Sequence, residues 1–234
     1  MKTLIVGCSF VNNLIWDHYT NKINWILHPD VYTSAAPGAG NESIAVRLLH
    51  ECSQKKYDQV FVLWSGINRI DVSLSEKLKP HLDQCSFCVD VGGTTWYHSG
   101  GMAGSWTDNT YTYPGIVKEL IKNQYLEADI RYLSDRTFRS IITAQSFLSQ
   151  QNISYKMAFA YDIYKDYSWQ ESFFGAVDVT SPMFKLIDWD KIQTENTLYE
   201  WASSDPTRMS DRIHPSRDAV REWILSNVDL DIAM

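Results

Sequence analysis

Four short stretches of the chain hold the residue types that acyl transfer requires. Ser9 stands in Gly7-Cys8-Ser9-Phe10, directly after an apolar run. A serine hydroxyl is a weak nucleophile at neutral pH until a base takes its proton, and an imidazole does this best when a carboxylate fixes its tautomer and orientation. Asp211-Arg212-Ile213-His214, near the other end, offers a carboxylate and an imidazole close enough in sequence to come from one loop. The reaction also needs hydrogen-bond donors aimed at the oxyanion of a tetrahedral intermediate. Candidates are the backbone N–H groups of Ser9 and Gly38 and the side-chain amide of Asn68, with Gly40 a rival to Gly38. Taken singly, each of these is also an ordinary turn or cap residue. Their order along the chain, each after a predicted strand or just before a helix, is what joins them.

The elements that must position these residues are legible from periodicity. Thr3 to Val6 is a β-branched, apolar run ending at Gly7, the pattern of a buried parallel strand. Val31 to Ala36 reads as a second strand, stopped by Pro37-Gly38-Ala39-Gly40; Asn41 then caps a helix through Ser43, Ile44, Val46, Leu48 and Leu49. Gln59 to Trp64 is the clearest strand, and Ser65-Gly66-Ile67-Asn68 turns the chain after it. Helical spacing from Ile116 to Gln151 fits two helices or one kinked helix, Ile153 to Ala160 a fourth strand, and Pro215 to Val228 an amphipathic closing helix. Residues 162 to 200 are aromatic-rich and follow neither period. Alternation of strand and helix predicts a parallel sheet with helices on both faces and ligands bound beyond the carboxyl ends of its strands. Ser9, Gly38 and Asn68 all fall on that rim.

From Asp71 to about residue 115 the periodicity fails, and glycines punctuate a run holding Trp96, Tyr97, Trp106, Tyr111 and Tyr113. This reads as an insertion after the third strand, either a substrate-contacting loop or an aromatic-stapled surface loop.

The four blocks, Gly-Cys-Ser-Phe at the start, Pro37-Gly38-Ala39-Gly40-Asn41, Ser65-Gly66-Ile67-Asn68 and Asp211-Arg-Ile-His214-Pro215, resemble those of the SGNH (GDSL-like) hydrolases. The resemblance implies a three-layer α/β/α, flavodoxin-like fold and a cofactor-independent serine esterase. In it Ser9 is the nucleophile, His214 the base, Asp211 its orienting partner, and Gly38, Asn68 and the Ser9 amide the oxyanion donors. Two departures stand out. Cys8 replaces the usual aspartate before the serine and is itself a rival nucleophile, ranked lower because neighbouring side chains after a strand point in opposite directions. Arg69 follows Asn68 where an aspartate is common.

At 234 residues, 44% hydrophobic and 21% charged, the chain fits a single domain spanning residues 1–234, with the insertion at about 71–115. A net charge of −7 argues against nucleic acid as a partner. The opening apolar run is shorter than the roughly 7–15 residues of a secretory signal, and no run approaches the length of a membrane span, so a cytoplasmic location is expected. Cys8, Cys52, Cys85 and Cys88 do not form a disulfide framework. Cys85-Ser-Phe-Cys88 has metal-ligand spacing but lacks a second ligand pair, so neither metal nor other cofactor is expected. His98, among aromatics and glycines, reads as a loop imidazole. The expected partner is a small-molecule, lipid or carbohydrate ester. The alternative is a catalytically vestigial module that grips a glycan or a protein with the aromatics of residues 96–113 and 161–174. A flavodoxin-like nucleotide binder is disfavoured by the lack of GxGxxG or a P-loop.

Overall fold

The structure, a computed structural model, describes residues 1–12, 30–36, 38–75, 88–91, 94–98, 119–120, 123–124, 129–165, 176–210 and 214–227. In chain order the strands are β1 (Thr3–Gly7), β2 (Val31–Ala35), β3 (Gln59–Trp64), β4 (Asp71–Ser75), β5 (Cys88–Val91), β6 (Thr94–His98), β7 (Ser154–Phe159) and β8 (Ile192–Gln193). The helices are α1 (Ser9–Asn12), α2 (Asn41–Gln54), α3 (Ile130–Gln150), α4 (Leu198–Ser203) and α5 (Arg217–Asn227).

A five-stranded sheet in the order β2-β1-β3-β7-β8 is parallel throughout. It is covered on both faces, which is why all six residues of central β3 are buried and its sequence is apolar without alternation. Pleat and register assign the layers. Leu4, Val62 and Tyr155 belong to one face, where the Tyr155 hydroxyl meets Ser149 of α3 and Ser34 of β2 meets Arg47 and Glu51 of α2. Phe61 belongs to the other, where its ring lies 6.5 Å from that of Trp223 in α5. The result is a three-layer α/β/α arrangement with the strand order of flavodoxin-like folds. The chain leaves β1 toward β2 on one side and crosses back to β3 and β7 on the other, so the switch point falls between β1 and β3.

One expectation changes, and two stretches that the sequence left open are assigned. The stretch from Asp71, read as irregular, forms a second, antiparallel three-stranded sheet in the order β4-β6-β5. Its strands are only four or five residues long, too short for a strong period-2 signal. One signal was present, since Val91 pairs with Thr94 and only Gly92-Gly93 separates them, the spacing and composition of a two-residue hairpin connection. Second, the helix-periodic stretch 116–151 contains α3 starting at Ile130, where the Asp129 carboxylate accepts the Tyr132 N–H at 2.7 Å. Third, residues 176–200 hold two short 3-10 turns, Pro182–Leu186 and Trp189–Lys191, then the two-residue edge strand β8 and the start of α4.

Helices α2 and α3 are clamped together by Arg136, whose guanidinium engages both oxygens of the Glu42 carboxylate. Among the described residues no helix is long and apolar enough to cross a membrane.

Candidate functional site

The rim at the carboxyl ends of β1, β2 and β3 is built from three turns. Gly7 of β1 pairs with Ala35 of β2 on one side and Leu63 of β3 on the other, so the residues that follow each strand emerge side by side. Ser9 opens the four-residue helix α1 and is buried. Its Oγ makes no hydrogen bond among the described residues. Gly7 must be glycine to let α1 fold so close to the strand ends, since a Cβ there would sit 2.6 Å from Val11 Cγ2 and 3.1 Å from the Leu63 carbonyl. Cys8, the rival nucleophile, is fully buried within the hydrophobic core cluster. Cys52 is no better activated, because burial and the nearby Glu51 push its thiol up to about 11.

The second turn carries the two rival glycines, and they differ. Gly38 has φ 70°, a left-handed conformation that favours glycine. Gly40 has an ordinary φ of −88° but no room for a side chain, since a Cβ would lie 2.8 Å from both the Arg69 carbonyl and Asp71 Oδ2. Its N–H donates to Asp71 Oδ1 at 2.9 Å, while Asp71 Oδ2 accepts the Ser43 N–H at 2.8 Å. Buried Asp71 thus caps the amino end of α2 from the start of β4. With its amide committed to that cap, Gly40 is the weaker oxyanion candidate.

The third turn, Ser65 to Arg69, is fastened to the second by a buried asparagine. Asn41 Oδ1 accepts the Ser65 N–H at 2.7 Å, and its Nδ2 donates to the Ser65 carbonyl at 3.2 Å and to Thr137 Oγ1 at 3.0 Å. Asn68, 1% exposed, follows within the same turn, closed by the Arg69 N–H donating to the Gly66 carbonyl at 3.3 Å. Asn41→Ala would leave the Ser65 amide buried without a partner. We expect it to lower stability by about 2–4 kcal/mol, one buried orphan plus the lost hydrogen bonds, measured by urea unfolding. An unchanged midpoint would mean that the clamp contributes nothing.

The carboxyl-terminal contribution arrives through a ring cluster. Phe10, next to Ser9, packs against Tyr161 at 5.1 Å, Tyr199 at 6.5 Å and the His214 imidazole at 5.8 Å, the last edge-on at 80°. The chain around His214 is held by its backbone. Its carbonyl accepts both the N–H (2.9 Å) and the hydroxyl (3.0 Å) of Ser210, and Met209 and Pro215 form an antiparallel bridge. Arg208, just before this loop, stacks its guanidinium 4.0 Å from the centre of the Trp201 ring. The first and last parts of the chain therefore meet at Phe10, with the His214 ring beside the residue that follows Ser9. Asp211 lies outside the described residues, as does Pro37.

Burial raises the phenol of Tyr161 well above its ordinary value, with the Arg69 charge pulling the other way. Burial also raises the Tyr199 phenol and the Glu200 carboxyl, the latter accepting the Asp162 N–H at 3.2 Å and the Thr197 hydroxyl. Among the described residues no group of three or more His, Cys, Asp or Glu side chains is arranged to hold a metal ion. Cys88 lies in β5, while Cys85 is outside the described residues. Of the aromatics proposed to grip a glycan or protein, Tyr97 and Tyr161 are buried, Trp96 is half-buried and Tyr164 is exposed; Trp106, Tyr111, Tyr113, Tyr167, Trp169, Phe173 and Phe174 lie outside the described residues.

Sequence reasoning gave Asp71 and Tyr161 no role at the site and read Asn41 as a helix cap, whereas Gly40 holds the cap position and the Asn41 side chain reaches Ser65 and Thr137. Each acts across 24 residues or more, or through packing, and no local pattern marks it.

Fold and rim together define an α/β protein of flavodoxin-like strand order with polar turns converging at its switch point. No protein-family model matches the chain, and no curated protein sequence matches it significantly. Among solved structures, a protein of Bacteroides fragilis provisionally described as an acylhydrolase superposes with a TM-score of 0.46 at 12% identity, covering 96% of this chain and 84% of that one.

Proposed function

We propose that the chain is a serine-dependent acyl hydrolase acting on an ester of a small molecule, lipid or carbohydrate. The observation that carries this reading is the seating of the His214 imidazole on Phe10, the neighbour of Ser9, at a rim where the Gly38 and Asn68 turns also end. An imidazole at that rim would supply the Ser9 hydroxyl with a base.

In the proposed cycle His214 takes the Ser9 proton as Oγ attacks the ester carbonyl, and Asp211 holds the imidazole in the required tautomer. The carbonyl oxygen becomes an oxyanion facing the N–H groups of Ser9 and Gly38 and the Asn68 amide. The intermediate collapses as the His214 proton passes to the leaving alcohol, giving acyl-Ser9. Water, deprotonated by His214, then releases the acid and restores the hydroxyl. A Ser9 Oγ without a hydrogen bond among the described residues is compatible with a site whose hydrogen bonds tighten only when substrate binds.

Full-length protein mixed with p-nitrophenyl acetate is expected to release nitrophenolate with a burst approaching one equivalent per chain, then a slower steady rate. Release no faster than in buffer, across acetyl to octanoyl esters, would overturn the reading.

A further inference from the structure

Arg69 is a cation placed where few are tolerated. It is only 8% exposed and directly follows Asn68. Its backbone touches both neighbouring turns, with the N–H closing its own turn on Gly66 and the carbonyl packing where Gly40 has no side chain. Its guanidinium reaches back across the rim, Nη1 donating to the Ala39 carbonyl at 3.4 Å, the peptide between the two rival glycines. The same charge acts on the Tyr161 phenol, and the Tyr161 ring lies 5.1 Å from that of Phe10, against which His214 is seated. One side chain thus ties the glycine turn to the asparagine turn and lies beside the ring cluster that seats the imidazole.

A buried charge is screened far less than an exposed one, so its field reaches over several ångströms of protein. In the proposed reaction negative charge develops between the donors of those same two turns. An electrostatic contribution that is fixed before the reaction begins needs no reorganisation during it. We infer that Arg69 is a positioning residue for the oxyanion site, holding the Gly38 to Gly40 turn against the Asn68 turn and setting a fixed positive charge behind the developing oxyanion. This rests on the hydrolase reading and deepens it. Two other roles are open to a buried arginine here: a purely structural tie, and a contact for a negatively charged acyl group.

The test uses full-length Arg69→Gln and Arg69→Lys, with kcat and KM measured separately on p-nitrophenyl acetate and on the anionic mono-p-nitrophenyl succinate, and thermal midpoints recorded for each. Arg69→Gln is expected to lower kcat about 10- to 100-fold on both esters, somewhat less than the loss of a direct oxyanion donor, with KM little changed. Arg69→Lys, which keeps the charge, is expected to recover most of kcat. Equal losses in both variants that track their thermal midpoints would reduce Arg69 to a structural tie. A loss confined to KM for the succinate ester would make it a substrate contact, and full kcat in Arg69→Gln would remove it from the reaction. Each of these overturns the inference, including where neither variant folds, since the charge-keeping lysine is expected to fold. An inactive Ser9→Ala with a fully active Arg69→Gln rejects this inference alone, whereas a fully active Ser9→Ala rejects the hydrolase reading and takes this inference with it.

Discussion

Ser9→Ala is expected to cut nitrophenolate release from p-nitrophenyl acetate by at least about 1000-fold, because without the hydroxyl no acyl-enzyme forms and only the binding and oxyanion terms remain. The same substitution is expected to leave the thermal midpoint unchanged or slightly raised. Ser9 is 4% exposed and its Oγ makes no hydrogen bond among the described residues, so the alanine removes a desolvated polar atom and sacrifices no contact that the fold uses. This separation of activity from stability is what distinguishes a nucleophile from a helix-capping serine. A cap lost at α1 would show as a loss of up to about 2 kcal/mol in stability. Retained turnover would remove Ser9 from the chemistry and with it the proposed function.

His214→Gln is expected to lower turnover to a similar floor, about 1000-fold or more, since the amide can neither take the Ser9 proton nor return one to the leaving group. Glutamine is chosen to preserve polarity and much of the volume where the imidazole meets Phe10. The backbone anchors of this loop, from Ser210 to the His214 carbonyl and between Met209 and Pro215, do not depend on the side chain. The double variant Ser9→Ala, His214→Gln is expected to be no slower than either single one, because groups that act as a unit are not additive. Multiplied losses in the double variant would show that the two act independently, contrary to the proposed proton transfer.

Much of the sheet was legible in the sequence because its strands are buried on both faces. Gln59 to Trp64 was read with the bounds that β3 has, and Thr3 to Val6, Val31 to Ala36 and Ile153 to Ala160 fell within a residue or so of β1, β2 and β7. An unbroken apolar run between turn residues has few other ways to fold. What escaped was either short or non-local. β8 is two residues long and exists only because Met157 and Ala158 offer it a partner, so no pattern inside Ile192-Gln193 announces it. The antiparallel sheet of β4, β5 and β6 is made of strands too brief to show a period. At the site, the glycines and Asn68 were found as turn residues because turns demand particular residue types locally. The long-range bonds of Asp71 and Asn41 went unread because their partners are residues 40 and 43 in one case and 65 and 137 in the other. The nearness of His214 to Phe10, on which the functional reading leans most, spans almost the entire chain, and no local pattern in the sequence announces it.

The burial of Tyr97 and Tyr161 removes two rings from the binding-module alternative, while Tyr164 of the same set stays exposed. Those two rings are spent on packing, and Tyr161 in particular holds the cluster around Phe10.

The most direct measurement is peptide mass spectrometry of the full-length protein after treatment with a fluorophosphonate. This reagent phosphonylates a serine whose proton is being withdrawn and spares ordinary hydroxyls. The adduct is expected on the peptide holding Ser9, near one equivalent per chain, and its formation is expected to slow sharply in His214→Gln. No adduct at Ser9, or an adduct there that forms equally fast without the imidazole, would contradict the account.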